Sequence, residues 1–351
     1  MIVKNLTLKN FRNHHYLTYE FQKGINLILG PNGVGKTNIV EAIYYLSVVR
    51  SFRTPDEPNL IQKGMEHSEI SSVIHEGDII RKIKVNLSKD GRRVLLNNKP
   101  VSKLSDLAKC VNVVLFEPKD VLLFRGLPKA RRNFLDISIS KRSAVYLDAI
   151  SRYEKILKER NELLKQENPD KVLLETTTEL LVKLSAPIVS YRQMYVKDIN
   201  DILIKITRAL TGVNDEIKIH YTPFVPYDKD FQKNAKEAFN KGLEGDLKRK
   251  ATSIGVHRED FSVSLNGRDI AMFGSQGENR LVALALKLSP YFLIEDKDKR
   301  PIVVLDDVLS ELDANHQERL IKFLRKFEQV FITATHANIE DVALYELKQK
   351  T

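Results

Sequence analysis

Two short segments lying almost the whole chain apart constrain the fold more than anything between them. Near the start stands Gly30-Pro31-Asn32-Gly33-Val34-Gly35-Lys36-Thr37, followed by Asn38, and near the end stands Ile302-Val303-Val304-Leu305-Asp306-Asp307. The first is a full G-x-x-x-x-G-K-T phosphate loop in its proper setting. The apolar run Ile25, Leu27, Ile28, Leu29 predicts a strand before it, and residues 38–48 predict a helix after it. Its glycines permit a tight backbone whose N–H groups face phosphates, and the helix N-terminus adds positive potential. Lys36 is expected to reach the β and γ phosphates, and Thr37 to hold magnesium through its hydroxyl. The second segment predicts a buried strand tipped with acids, where Asp306 joins the magnesium shell and Asp307 orients or deprotonates an attacking water. One nucleotide site built from both ends requires the first and last thirds to fold as one domain. The middle is then an insertion.

At 351 residues the chain has room for about two domains. Hydrophobic residues make up 42% and charged residues 29%, and no apolar run approaches the roughly 18 residues of a membrane span. The alternating start Met1-Ile2-Val3-Lys4-Asn5-Leu6-Thr7-Leu8 predicts a strand and lacks a signal peptide's apolar core, so a cytoplasmic protein with no membrane partner is expected. A single cysteine, Cys110, excludes an intramolecular disulfide and a multi-cysteine zinc site, and beside the apolar residues 111–116 it reads as a small core residue. The net charge of +10 favours a polyanionic partner, because excess Lys and Arg gain affinity by releasing condensed counterions.

Residues 1–118 read as strand-rich mixed α/β, with Asp90-Gly91 as a hairpin turn between residues 79–87 and 94–96. From about residue 121 to 210 the period turns helical. Tyr146, Tyr153, Ile156, Leu157, Leu163 and Leu164 share one helix face. Leu173, Thr177, Leu180, Leu184, Ile188, Tyr191, Tyr195, Ile199, Ile202 and Ile206 then step with an eleven-residue rhythm, which predicts nearly straight helix packing with a kink or restart at Pro187. Short strands and helices return after the turn-rich stretch containing Pro223, Pro226, Gly242 and Gly245. The expected division is a discontinuous nucleotide-binding domain, residues 1–118 and 246–351, with residues 119–245 as an inserted helical lobe.

Other nucleotide enzymes also carry phosphate loops, so further motifs must choose among them. Ser275-Gln276-Gly277-Glu278-Asn279-Arg280 opens a helical run and offers a second anion site at a helix N-terminus, or else a simple N-cap. Ser310-Glu311-Leu312-Asp313 follows the acidic strand, and His336 follows the strand Val330-Phe331-Ile332-Thr333-Ala334-Thr335. In this order the sequence resembles the ABC-type ATPases, with Walker A, signature, Walker B, D-loop and H-loop in turn. The resemblance implies an α/β ABC-type ATPase head, a P-loop NTPase sheet with helices, carrying the helical insertion. It implies ATP and Mg2+ as cofactors and a homodimer closed by ATP. In that arrangement Ser275 contacts the γ-phosphate held by the other head, Gln276, Gly277 and Asp313 are nucleotide contacts, and His336 meets the γ-phosphate or the D-loop. Lys36, Asp307, Ser275 and His336 would carry the catalysis.

Within that superfamily the chain is similar to the SMC-like RecF family over nearly its full length. The segments are Leu8-Lys9-Asn10-Phe11-Arg12-Asn13, Arg50-Ser51-Phe52-Arg53-Thr54, Phe116-Glu117-Pro118-Lys119-Asp120, Arg131-Arg132-Asn133-Phe134-Leu135-Asp136 and His257-Arg258-Glu259-Asp260, besides those already named. The resemblance implies recognition of gapped DNA or a single-strand/double-strand junction, with RecO and RecR, to load RecA. It also implies a nucleotide contact for Arg12. Lys119, Val256 and Glu278-Asn279 depart from the family pattern, and residues 116–120 carry no Q-loop glutamine. Alternatives are a transporter or SMC-like ABC subunit and a GTPase, for which Asn98-Lys99-Pro100-Val101 lacks the required acid. For DNA, two basic clusters stand out: Lys82, Lys84, Arg92 and Arg93 around the hairpin, and Arg131 with Arg132 after Pro118. With no Trp and no aromatic platform, duplex or junction backbone is the expected target.

Overall fold

The computed structural model describes residues 1–101, 107 and 110–348. It forms two compact units: Met1–Val121 with Lys205–Asn214 and the chain from Arg280 onward, and Leu122–Ile204 with Asp215–Asn279.

The first unit holds two sheets. Strands β1 (Ile2–Phe11), β2 (His14–Glu20), β4 (His67–Glu76), β5 (Ile79–Ser88), β6 (Gly91–Leu96) and β7 (Lys99–Pro100) form an antiparallel sheet in the order β2-β1-β4-β5-β6-β7. Strands β3 (Gly24–Leu29), β8 (Val113–Phe116), β12 (Ile302–Leu305), β13 (Gln329–Ala334) and β14 (Ala343–Glu346) form a parallel one, β14-β3-β13-β12-β8. Helix α1 (Lys36–Val48) shares one apolar core with both: Ile39, Val40, Ile43 and Leu46 pack with Leu6, Leu8, Ile70 and Ile83 of the antiparallel sheet and with Val304 and Phe331 of the parallel one. Gln329 stitches the sheets together, although it is a polar residue with no exposure. Its amide accepts from Val3 N at 2.8 Å and donates to the carbonyls of Val3 and Gln22, each at 2.9 Å.

The parallel sheet places the loop strand β3 and the acid-tipped β12 on either side of β13, with all C-terminal ends at one edge. Residues separated by most of the chain thus meet through strand order. The hairpin at Asp90-Gly91 forms as expected. Asn97 and Asn98 take φ +50° and +65° in the turn into β7, so the stretch resembling a guanine-reading motif is a hairpin turn in the antiparallel sheet.

In the second unit lie helices α2 (Pro128–Ser140), α3 (Ala144–Leu164), most of α4 (Lys171–Thr211), α5 (Phe231–Arg249) and the short α6 (Ile270–Phe273). This unit also contains an antiparallel sheet of β9 (Ile217–Thr222), β10 (Asp260–Leu265) and β11 (Arg268–Asp269). Residues 246–279 group here, away from the expected boundary at 245/246, because β10 pairs along its whole length with β9.

Helix α4 runs unbroken through Pro187 for 41 residues. Its buried residues include Leu174, Thr178, Leu181, Ser185, Ile188, Arg192, Tyr195, Ile199, Leu203, Ile206 and Leu210, flanked by Thr177, Val182, Val189, Val196 and Thr207, while Leu173 and Leu180 of the expected stripe are exposed. The spacing is closer to seven than to eleven residues, so the expected phase is corrected in the first half. The expected stripe missed Leu174, Leu181 and Leu203, which lie one position from its members, Leu210 beyond its end, and also Ser185 and Arg192, which are buried because their polar atoms have partners. Ser185 Oγ donates to Leu181 O at 2.8 Å, and the Arg192 guanidinium donates to Asp136 and Glu259 at 2.8 and 2.6 Å.

Candidate functional site

The phosphate loop leaves β3 at Leu29 and enters α1 through Gly35, whose φ of +109° at the N-cap is a conformation that suits glycine. A side chain there would also collide with the chain behind the loop, since an added Cβ would lie 2.5 Å from His14 Nε2 and 2.6 Å from Asn13 Oδ1. Those residues brace the loop. Asn13 Nδ2 donates to Val34 O at 3.0 Å, His14 Nε2 meets Gly35 O at 3.2 Å, and Asn38 Nδ2 donates to Asn13 Oδ1 at 2.7 Å. Lys36 is buried, and its ammonium donates to the carbonyls of Gly30 and Pro31 at 2.6 and 2.9 Å. Burial lowers its pKa against the opposing pull of Asp307 and then Asp306.

At the neighbouring strand end, Asp306 Oδ1 accepts from Thr37 Oγ1 at 3.0 Å and from Thr333 Oγ1 at 2.7 Å. Thr333 Oγ1 also accepts the Asp307 backbone N–H at 2.9 Å, so one hydroxyl on β13 ties the Asp306 carboxylate to the Asp307 main chain. Asp307 itself takes φ +49°, which turns the backbone immediately after the strand. Burial raises the Asp306 pKa, opposed by these two hydroxyl bonds. One carboxylate and one hydroxyl are too few to hold an ion alone. They fit Mg2+, a hard cation that takes its remaining oxygens from phosphate and water.

Gly30, Pro31 and Asn32 line an open cleft of about 890 Å³ together with His336, which is exposed. After β12, Ser310 Oγ donates to Asp307 O at 3.0 Å, and Asp313 caps helix α8 (Ala314–Leu324) by accepting His316 N at 3.0 Å. Asp313 is exposed, and the His316 bonds hold its pKa low.

Ser275 belongs to the second unit. It forms a capping box at the head of α7 (Gln276–Phe292): Glu278 N donates to Ser275 Oγ at 3.2 Å and Ser275 N donates to Glu278 Oε2 at 2.7 Å. Ser275, Gln276 and Gly277 are all exposed. The simple N-cap that the sequence also allowed is therefore formed, and it leaves these three residues facing outward.

Arg12 is held within the fold. Its guanidinium grips Glu41, a residue with no exposure, through bonds of 2.9 and 2.6 Å, and donates to Asn59 O at 2.9 Å. His257 is likewise internal, between Tyr153 OH at 2.9 Å and Thr252 O at 3.0 Å, and burial lowers its pKa to about 4.

The basic clusters divide. Arg131 is buried, chelates Asp260 at 2.7 and 2.8 Å and donates to the carbonyls of Leu123, Phe124 and Gly126. Arg132 donates to Glu259 O at 2.8 Å, and burial lowers its pKa. All three guanidinium nitrogens of Arg131 are engaged within the fold, which corrects its expected DNA role, whereas Arg132 is half-buried. Arg92 pairs with Glu57, whose Oε1 also accepts Tyr45 OH. Lys82, Lys84 and Arg93 remain on the other face of the hairpin.

Sequence reasoning missed three contributors. Thr333 looks like any strand residue until β13 is placed beside β12. Glu41 did leave a signal, an acid inside the apolar run Ile39, Val40, Ala42, Ile43 that demanded a cationic partner. Glu117 left none. It follows β8 directly at the level of Asp306, whose N–H donates to Phe116 O at 2.9 Å, and burial followed by Asp120 pushes its pKa up to about 7.

Comparison with known proteins places this geometry. Residues 2–348 match the family described as RecF/RecN/SMC N terminal domain. The DNA replication and repair protein RecF of Geobacillus kaustophilus (strain HTA426) is 35% identical, over 99% of this chain and 98% of the relative. The Clostridium novyi (strain NT) protein of the same name is also 35% identical, over 95% and 93%. A structure of the recombination mediator protein RecF-ATP in the RecFOR pathway superposes with a TM-score of 0.88 at 31% identity, covering 99% of this chain and 97% of that one. An Smc head domain derived from Pyrococcus furiosus shares the fold, with a TM-score of 0.59 at 17% identity over 95% and 89%.

Proposed function

The chain belongs to the RecF family, and on that premise we propose that it is an ATPase of DNA replication and repair whose ATP-bound form is a homodimer on DNA. The observation that carries this reading is the junction of Thr37, Asp306 and Thr333 beside the phosphate loop. It supports a nucleotide site with a place for Mg2+, and the relatives supply the nucleotide's name, ATP. The first compact unit acts as the ATPase head and the second as the inserted lobe.

In this mechanism the loop N–H groups of Gly33 and Gly35 and the α1 N-terminus hold phosphate charge. Lys36 exchanges its two carbonyl partners for β and γ phosphate oxygens. Thr37 and Asp306 would hold Mg2+, which when bound would neutralise phosphate charge. Asp307, whose main chain is fixed through Thr333, accepts the proton of the attacking water. Ser275, Gln276, Gly277 and Asp313, all exposed, serve the nucleotide held by a second copy, and His336 serves the γ-phosphate. Hydrolysis is slow and DNA-stimulated, a timer for release.

Among the described residues no helix is long and apolar enough to cross a membrane, and the proposed setting is the cytoplasm. The proposed partners are gapped or junction DNA and RecR, with RecO and RecA in the same pathway. Sedimentation of the wild type and Lys36→Ala, with and without ATP and a gapped duplex, tests the reading. ATP should double the mass of the wild type alone and shift it onto DNA. A wild type that stays monomeric with ATP and DNA present would overturn the proposal.

A further inference from the structure

The antiparallel sheet of the first unit turns one face to the core and leaves the other uncovered by the apolar cluster. Leu6, Leu8, Ile70, Ile74, Ile83, Val85 and Leu87 point inward, so strand alternation sends their neighbours outward. The register aligns those neighbours in rows. One row is Tyr16, Lys9, Glu69, Asn86 and Arg93 across β2, β1, β4, β5 and β6. The next is Thr18, Thr7, Ser71, Lys84 and Leu95, and the third is Glu20, Asn5, Val73 and Lys82, with Glu20 at the edge strand farthest from the lysine.

The face is hydroxyl- and amide-rich and carries four cations, Lys9, Lys82, Lys84 and Arg93. Glu69 is the acid between them, 3.8 Å from Lys9 and 3.1 Å from Lys84. Among the described residues Lys82 and Arg93 have no carboxylate within ion-pair distance, and both are exposed. Lys82 and Lys84 lie about 7 Å apart along β5, and Lys9 and Arg93 are three strand spacings apart, about 14 Å. A single strand threads one line of phosphates, whereas a cation field of this width meets the two backbones that flank a groove. Tyr16, 61% exposed on the edge strand, is the one aromatic ring this face offers among the described residues, too few for a stacking platform.

We propose that this outer sheet face is the surface that holds the phosphate backbone of duplex DNA, through Lys9, Lys82, Lys84 and Arg93. The proposal rests on the DNA-binding reading above and gives it a location. Alternation excludes Arg92 from the same surface, although it adjoins Arg93 in sequence: Arg92 stands opposite inward-facing Leu87 and is bound to Glu57.

The test is a salt series on a labelled duplex, by fluorescence anisotropy, for wild type, Lys82→Gln, Arg93→Gln, Arg92→Gln and Glu69→Gln, with ATP binding as the check on folding. Each phosphate contact contributes about 0.9 to the slope of log affinity against log salt. Lys82→Gln and Arg93→Gln should each flatten the slope by roughly that amount per head, while Arg92→Gln leaves it unchanged. Glu69→Gln should tighten binding several-fold, because it frees Lys9 and Lys84 for phosphate. Equal effects of Arg92→Gln and Arg93→Gln, or unchanged slopes for both Lys82→Gln and Arg93→Gln in a protein that binds duplex, would overturn the face and leave the function intact. A wild type that binds no DNA in any nucleotide state would overturn the underlying reading and the face with it.

Discussion

At the scale of single residues, the site depends on buried charges whose partners come from distant parts of the chain. Glu41 has no exposure and is held by Arg12 through two bonds, with Ser51 Oγ donating at 2.5 Å and Arg53 more distantly at 3.4 Å. Arg12→Ala removes the main counter-charge from a buried carboxylate, and the stability loss in urea should be about 3 kcal/mol. A loss within experimental error would mean that the Arg12–Glu41 pair contributes no net stability. Glu117 behaves differently, because its carboxyl is raised from 4.5 to about 7 by burial and Asp120. The fold therefore holds this proton more tightly than the unfolded chain does. The stabilisation is fully present below about pH 4.5 and is lost as pH rises through about 7. Glu117→Gln, neutral at every pH, should raise the denaturation midpoint above wild type at pH 8 and lose that advantage by pH 4. An advantage that is the same at both pH values would contradict the buried-acid account.

Whole elements are joined by polar side chains placed where an apolar pattern predicts nothing. Gln329 opens β13 and completes the hydrogen bonding of Val3 on β1, linking the antiparallel sheet to the parallel one. Gln329→Leu matches its size but strands the Val3 N–H and C=O and the Gln22 carbonyl. A loss of about 2 to 4 kcal/mol should follow from chemical denaturation, despite the more apolar side chain. Arg192 does the same within the second unit, where it binds α4 to Asp136 on α2 and to Glu259 just before β10. These residues explain why the buried stripe of α4 could not be read from apolar spacing alone.

For the molecule as a whole, the proposed cycle depends on Asp307 and Thr333 timing a dimer. Asp307→Asn keeps the shape of the site and removes the base, so ATP binding should stay near wild type while single-turnover phosphate release slows by two orders of magnitude or more. The ATP-bound dimer should persist correspondingly longer in light scattering. Unchanged phosphate release would move water activation to another group lining the cleft, with His336 the first to examine.

Much of this arrangement was legible in the chain itself. The loop, its flanking strand and helix, the acid-tipped strand and the hairpin at Asp90-Gly91 are local patterns, set by backbone sterics and the periodicity of apolar residues, and each formed where expected. That the two chain ends share one domain followed from the chemistry of a single phosphate site. Which face a cation occupies, and what already holds it, did not follow. Arg92 and Arg93, or Arg131 and a solvent-exposed arginine, are the same residue type in similar company, and only strand register and the positions of Glu57 and Asp260 separate them. Likewise Thr333 and Glu117 became part of the site only when β13 and β8 took their places on either side of β12. Local sequence determines how each segment folds, whereas the partners of buried charges are set by strand order and packing, which bring together residues hundreds of positions apart.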